Sequence, residues 1–367
     1  MMLKGIQKFI LFLLVVGCVE PYEFVIKNNE PALVIEAFIS NKSFNETLDY
    51  PSDGRYFTVK LTNTSDVTNV RPVPIRSAQV QLLTDRGEIW DYTESHETPG
   101  SYILLDDEFR AEVGVAYKLN IKLPDENIYE SDWQSMPTKS SPPMGEISFR
   151  ETDIQKYVFM ANEEVLVTAK GMWIQLTLPE NTTNEPLYYR WTNTPHWIYV
   201  APLAESSPGR TCWAKNIVSL QTYALQSDQT GKYNKDVFFM ETVRNERIFV
   251  RYSSLIVQHT MTEDYYSFWK EMQDQNQGGA IFDNPPFNLH TNFHSLGSDK
   301  KVFGYFGVVE EQAKRWYFDM RELSYPVENT LKKDCTVPFQ DPAPECFDCR
   351  EYSFGITTEV KPQWWED

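Results

Sequence analysis

The sequence predicts a mainly β protein: an N-terminal immunoglobulin-like β-sandwich followed by a larger β-rich domain with one or two helices. Tyr, Phe and Trp make up 14% of the 367 residues, and together with abundant Val, Ile and Thr they favour strands. That aromatic load also excludes wholesale disorder, which requires few aromatics. Short apolar-rich runs recur along the chain, each bounded by turn residues. Only one stretch combines a clear helical period with its cap.

In chain order, residues 19–30 lack a periodicity and read as a tether, and residues 32–39 open the strands. Residues 56–61 and 78–83 follow; Asp85-Arg86-Gly87 then turns the chain back into residues 88–92 as a hairpin partner. Pro99-Gly100 leads into residues 101–105. Residues 115–123 place Val115, Tyr117, Leu119, Ile121 and Leu123 on one face, as a period of two demands. Residues 124–127 turn and residues 128–131 close the set. About seven short runs at this spacing suggest a sandwich of ~100 residues, which we assign to 31–137. Residues 138–144, with two prolines, read as the domain boundary.

The second domain, 145–367, begins with strands expected at 165–170, 172–178, 187–194 and 197–201, and residues 247–258 form the strongest strand signal in the chain. Thr262-Glu263-Asp264 caps a helix running to about Asn276, with acids in its first turn and Gly278-Gly279 at its end. Its apolar side carries Tyr265, Phe268, Trp269 and Met272. Two further strands are expected at 301–309 and 313–320, followed by a Cys-rich tail.

Residues 1–17 place Lys4 and Lys8 before an apolar run from Phe9 to Val16 and the small residue Gly17. That run is too short to span a bilayer, which takes roughly 20 residues, and it fits a secretory signal peptide. Cys18 directly after the small residue resembles a bacterial lipobox, in which cleavage precedes a lipidated cysteine. The competing reading is an ordinary signal peptide with a chance cysteine. A formal net charge of −18 argues against nucleic acid, whose phosphates need clustered Lys and Arg.

Apart from Cys18 the cysteines are Cys212, Cys335, Cys346 and Cys349, an even number that favours disulfides in an exported chain. Three pairings are open. The Cys346-x-x-Cys349 spacing also suits a zinc site with Cys335 and Cys212, although its Pro-rich surroundings do not resemble a redox helix. No nucleophile elbow, metalloprotease helix, P-loop or dinucleotide fingerprint occurs. His290 and His294 stand four apart, but Pro285, Pro286 and Asn288 place them in a loop without a completing carboxylate. Asp106-Asp107-Glu108, Glu163-Glu164 and Glu310-Glu311 read as solvated charges, with a calcium site in such a loop as the alternative. Neither a cofactor nor a metal is expected. Tyr188, Tyr189, Trp191, Trp197 and Tyr199 form either a ligand-stacking surface or core.

Several segments, in order, resemble a lipoprotein family of Bacteroidota of unknown function, typically encoded beside SusC-like TonB-dependent transporters. They are residues 33–39, the hairpin with Ala78-Gln79-Val80 and Gly87, residues 114–119, and the tyrosine-rich helix with Phe282-Asp283-Asn284-Pro285-Pro286. Gly304-Tyr305-Phe306-Gly307 follows, and Cys346-Phe347-Asp348-Cys349-Arg350 with Lys361-Pro362-Gln363-Trp364 ends the chain. Asn288-Leu289-His290 departs from a Gly-Asn pair common in that family. The resemblance implies an outer-membrane lipoprotein facing the cell exterior and partnering a SusC-like barrel, and it brings no catalytic residues. The expected function is therefore a non-enzymatic accessory or substrate-presenting partner. The alternative is a structural or assembly subunit of a larger outer-membrane complex.

Overall fold

The computed structural model describes residues 31–64, 73–160, 163–182, 185–216, 222–228, 232–277, 290–297, 299–338 and 340–366. Residues 32–367 form one unit. The signal segment, the tether, Cys18, Gly278-Gly279 and the 282–286 motif lie outside the described residues. The fold is mainly β, as the sequence predicts.

The first strands are β1 (Leu33–Ser40), β2 (Phe57–Asn63), β3 (Val73–Pro74), β4 (Gln79–Thr84) and β5 (Ile89–Asp91). A short helix α1 (Phe44–Leu48) lies between β1 and β2, closed by a capping box from Ser43 and Glu46. Next come β6 (Thr93–Glu94), β7 (Ser101–Leu104), β8 (Ala116–Lys122), β9 (Ile128–Ser131) and β10 (Gln134–Ser135). The remaining long strands are β11 (Ile147–Met160), β12 (Glu163–Leu178) and β13 (Leu187–Val200), followed by β14 (Thr211–Lys215), β15 (Tyr223–Asp228) and β16 (Tyr233–Glu241). Then come β17 (Tyr252–Met261), helix α2 (Glu263–Gln277), β18 (Phe293–Leu296), β19 (Val302–Phe318), helix α3 (Leu331–Asp334) and β20 (Ile356–Thr358).

Three sheets result. The largest runs β20-β14-β13-β17-β19-β1-β2-β7-β6, with β15 also on β13 and β3 on β2; the second runs β18-β9-β8-β4-β5 with β10 on β8; the third is β11-β12-β16. Leu33, Ile35, Ala37 and Ile39 of β1 and Phe306 and Val308 of β19 share one core with Leu82, Leu119 and Ile121 of the second sheet. Tyr189 and Trp191 of β13 share another with Ile174, Leu176 and Phe238 of the third. The even-numbered side chains of β19 enter both regions, so the two smaller sheets cover one face of the large sheet side by side.

The regions on either side of 138–144 share their sheets. Residues 302–309 of β19 pair in parallel with all of β1, and β18 pairs with β9. Segment 138–144 is itself fastened to β19. Ser140 Oγ and Ser141 N donate to Glu310 at 2.6 and 2.7 Å, and Met144 N donates to Gln312 Oε1.

Three breaks expected from the sequence do not occur. The strands expected at 165–170 and 172–178 are the single β12, because Gly171 lets the chain pass where a Cβ would lie 2.6 Å from the Met240 carbonyl and closer still to the Phe239 ring. Those expected at 187–194 and 197–201 are the single β13. Pro195 falls between the stretch paired with β15, which ends at Thr192, and the stretch paired with β14, which starts at His196, so its missing N–H removes no bond from either ladder. The last pair is the single β19, which exchanges β1 on one edge for β17 on the other around Glu310. The strand expected at 247–258 begins instead at Tyr252, after a 3-10 turn over Glu246–Ile248 capped by Asn245.

The other face of the large sheet receives α2. Tyr265 and Phe268 pack with Tyr305 and Val309, and Trp269 and Met272 pack alongside, as the helical spacing predicts. Two glycines of β19 allow close approach, one to α2 and one to β1. A Cβ on Gly307 would collide with the Tyr265 ring, so its absence lets that ring lie flat on the strand. Gly304, at φ +124°, passes so close to the Ile35 carbonyl that no side chain fits.

Candidate functional site: an aromatic cleft beside a buried charged row

The four cysteines form two disulfides, Cys212–Cys349 and Cys335–Cys346. The first fastens the tail to β14, and β20 adds to the outer edge of the same strand. Between β13 and the tail lies a cleft of about 540 Å³. Its aromatic wall is Tyr199, Tyr352 and Phe354. The first two rings lie 4.3 Å apart, and Phe354 follows edge-on at 5.8 Å, 65% exposed. Glu246, Asp334, Asp341 and Glu345 also line it, with no Lys or Arg lining it among the described residues. Tyr352 donates to Glu246 Oε1 at 2.6 Å, and Tyr199 donates to the Glu345 carbonyl at 3.1 Å. Burial, then the neighbouring carboxylates, push the Tyr199 hydroxyl up to about 12. Both phenols therefore stay protonated as donors at neutral pH. One exposed ring, Phe354, beside carboxylate acceptors suits a ligand with an apolar face and several hydrogen-bond donors, such as a sugar or a cationic peptide.

Of the five aromatics singled out in the sequence, Tyr189, Trp191, Trp197 and Tyr199 are at most 2% exposed. Their rings pack within the protein: Tyr189 on Trp191, Trp197 edge-on to Tyr352, and Tyr199 on Tyr352. Tyr188 is half-buried against Tyr266 of α2. Of the two readings the sequence leaves open for these five, core packing describes the four buried ones, and only Tyr199 borders the cleft. Tyr352 and Phe354, which the sequence reading missed, carry its aromatic wall. Their one sequence signal is their position directly after Cys349.

Glu310-Glu311 departs from the solvated charges expected of it. Glu310 is held by Ser140 and Ser141, and Glu311 is buried because it stands where β19 changes neighbours, under the loop that carries Arg55. Arg190 of β13, His259 of β17 and Glu311 of β19 are direct cross-strand neighbours and so share one face. Arg55 Nη2 lies 2.6 Å from Glu311 Oε2, and His259 Nε2 lies 3.4 Å from the same oxygen. Burial alone would raise the Glu311 carboxyl, but the Arg55 guanidinium and the His259 imidazole together outweigh it and hold the group at about 2. Burial also pushes His259 down, so its imidazole is neutral at pH 7 and the charge balance rests on Arg55. Arg190 stacks 3.7 Å from the Trp269 ring centre, and among the described residues no carboxylate pairs with it. With Glu311 1% and His259 4% exposed, this row fixes charge inside the sheet and presents no group to a substrate.

Further along the same face, Trp364 of the tail covers Arg315 at 3.5 Å and meets His196 edge-on at 4.9 Å. The indole N–H of Trp364 donates to Asp53 at 2.7 Å. Burial, then the Arg315 charge, lower His196 to about 4. Both buried imidazoles are therefore neutral when folded and free to protonate when unfolded. Their contribution is whole above the ordinary value of 6.5 and is lost as pH falls below it. We expect His196 alone to remove about 3 kcal/mol by pH 4. Urea unfolding midpoints that stay level between pH 7.5 and 4.5 would contradict this.

His294 lies on β18, not in a loop, and meets Asp132 at 3.0 Å on the surface, while the His290 backbone N–H donates to Glu271. Among the described residues no three metal-ligating side chains converge, and the cysteines considered for zinc are joined as disulfides. No curated protein matches the chain. Residues 19–315 match the model of a family described as a domain of unknown function, DUF4249, and the chain belongs to that family.

Proposed function

We propose that this is a non-enzymatic lipoprotein of the outer-membrane surface that presents substrate to, or otherwise assists, a SusC-like TonB-dependent transporter. The observation that carries the presenting role is the cleft, an aromatic wall with carboxylates and, among the described residues, no opposing cation, closed by two disulfides. The anchor rests on the lipobox-like Gly17-Cys18 and on the resemblance to Bacteroidota lipoproteins encoded beside such transporters. Among the described residues no helix is long and apolar enough to cross a membrane, which fits attachment through the N-terminal lipid.

Two measurements test this reading. Purification from detergent-solubilised outer membrane should recover a TonB-dependent barrel with the protein; recovery of the protein alone sinks the reading. Phe354→Ala removes an exposed ring and should leave that complex intact. It should weaken growth on the transported nutrient, with ligand affinity falling about tenfold, the size of one lost aromatic contact. The second reading, an assembly subunit of a larger complex, is favoured by the long β11–β12 hairpin. Deletion separates the two: loss of growth on one nutrient supports presentation, and a general envelope defect supports assembly.

A further inference from the structure

β11 pairs over its whole length with residues 163–176 of β12, from Ile147–Leu176 to Met160–Glu163. β16 pairs only with residues 171–178 of β12. Beyond Gly171 the sheet therefore continues as a two-stranded arm, a form of marginal stability in water. Its distal end is apolar on both faces. Tyr157 and Leu166, a cross-strand pair, share one face with Phe159, and these three are 69%, 52% and 71% exposed. Val158, Val165 and Met160 occupy the other face. In the body, the face that bears Tyr157 is the core face of Phe149 and Ile174, so a core-type surface runs out into solvent.

The outer edge of β11 has no strand beside it among the described residues. Natural edges of this length are blunted by Pro, by a bulge or by free Lys. β11 contains no Pro, and its pairing with β12 has no bulge. Its one lysine, Lys156, is engaged by Glu241. Among the described residues, Glu163 and Glu164 at the end of the arm pair with no cation.

We propose that this arm docks a strand of a different protein along the open edge of β11, on a partner whose receiving surface is apolar and rimmed with Lys or Arg. Three features select that occupant. An open edge offers a row of backbone donors and acceptors that another strand satisfies and hydrocarbon does not. Apolar side chains on both faces require cover from two sides. The acidic pair calls for cations and disfavours a second copy, which would bring the same acids and the same net charge of −18. The inference deepens the proposed function by naming the surface where the partner is met, and it rests on the reading that the protein works in a complex.

The test uses the full chain in its own membrane. A photo-crosslinking side chain is placed in turn at Gln155, Tyr157 and Phe159, with exposed Ile89 as the control position. The expected result is adducts to one other protein, mapping to one short segment that advances by two partner residues for each two-residue step along β11. Tyr157→Ser with Phe159→Ser should lower recovery of that protein about tenfold while leaving circular dichroism unchanged. Adducts to lipid, to a second copy or to many proteins, the absence of adducts, or unchanged recovery would each overturn the docking. Ordered adducts to a protein other than a barrel would keep the docking and reject the transporter reading. A co-purifying barrel without ordered adducts would do the reverse.

Discussion

Replacing Glu311 with Ala is expected to destabilise the protein by about 2–3 kcal/mol, because Arg55 loses its counter-charge and water reaching its side chain, one-third exposed, offsets only part of the loss. Its other partners in the protein are weaker. It donates a longer bond to Ser40 Oγ at 3.3 Å and stacks over Phe38 and Phe57 at 5.0 and 4.9 Å. Removing both charges, with Arg55→Leu and Glu311→Leu together, should recover much of the loss, since an apolar pair leaves no buried charge uncompensated. The Glu311 contribution also depends on pH. Its folded carboxyl is held at about 2, below the ordinary 4.5, so the stabilisation is whole above pH 4.5 and disappears as pH falls towards 2. Urea titrations of the single and double variants check both points. A double variant no more stable than Glu311→Ala would show that the pair does not act as a unit.

The second large effect concerns Cys212–Cys349. The bond joins residues separated by 137 positions, and the chain-entropy argument assigns such a loop about 5 kcal/mol. Cys335–Cys346 joins residues separated by 11, for which the same argument gives about 3 kcal/mol. Cys212→Ala with Cys349→Ala should therefore lower the thermal midpoint more than Cys335→Ala with Cys346→Ala. The first pair also releases the tail from β14, whereas the second opens only one wall of the cleft. Calorimetry of both double variants decides the order, and the reverse order would refute the argument from loop length.

What was legible in the sequence was local. The hairpin of β4 and β5 announces itself through Asp85-Arg86-Gly87, and α2 through its acidic first turn and its aromatic stripe. Continuity across a glycine or a proline was not legible. Gly171 and Pro195 look like breakers in isolation, and only the neighbouring strands show that each costs no ladder bond. The parallel partnership of β1 with β19 has no local signal either, because it joins chain segments that share no turn. The same limit governed the sites. The cysteines and the aromatic strand residues could be named, but their pairing and burial depend on contacts in space. Glu311 looked like a solvated charge because its partner, Arg55, arrives from another part of the chain.

The position of β1 in the large sheet also bears on how the chain is made. Its eight residues emerge from synthesis near the start, but the strand that completes one side of them, 302–309, emerges close to the end. Until then one edge of β1 stays open, with alternate side chains belonging to a core that cannot yet close. A chain kept unfolded for export carries that open edge until the whole of it has arrived, so it is expected to need escort by a chaperone more than its hairpins alone would suggest.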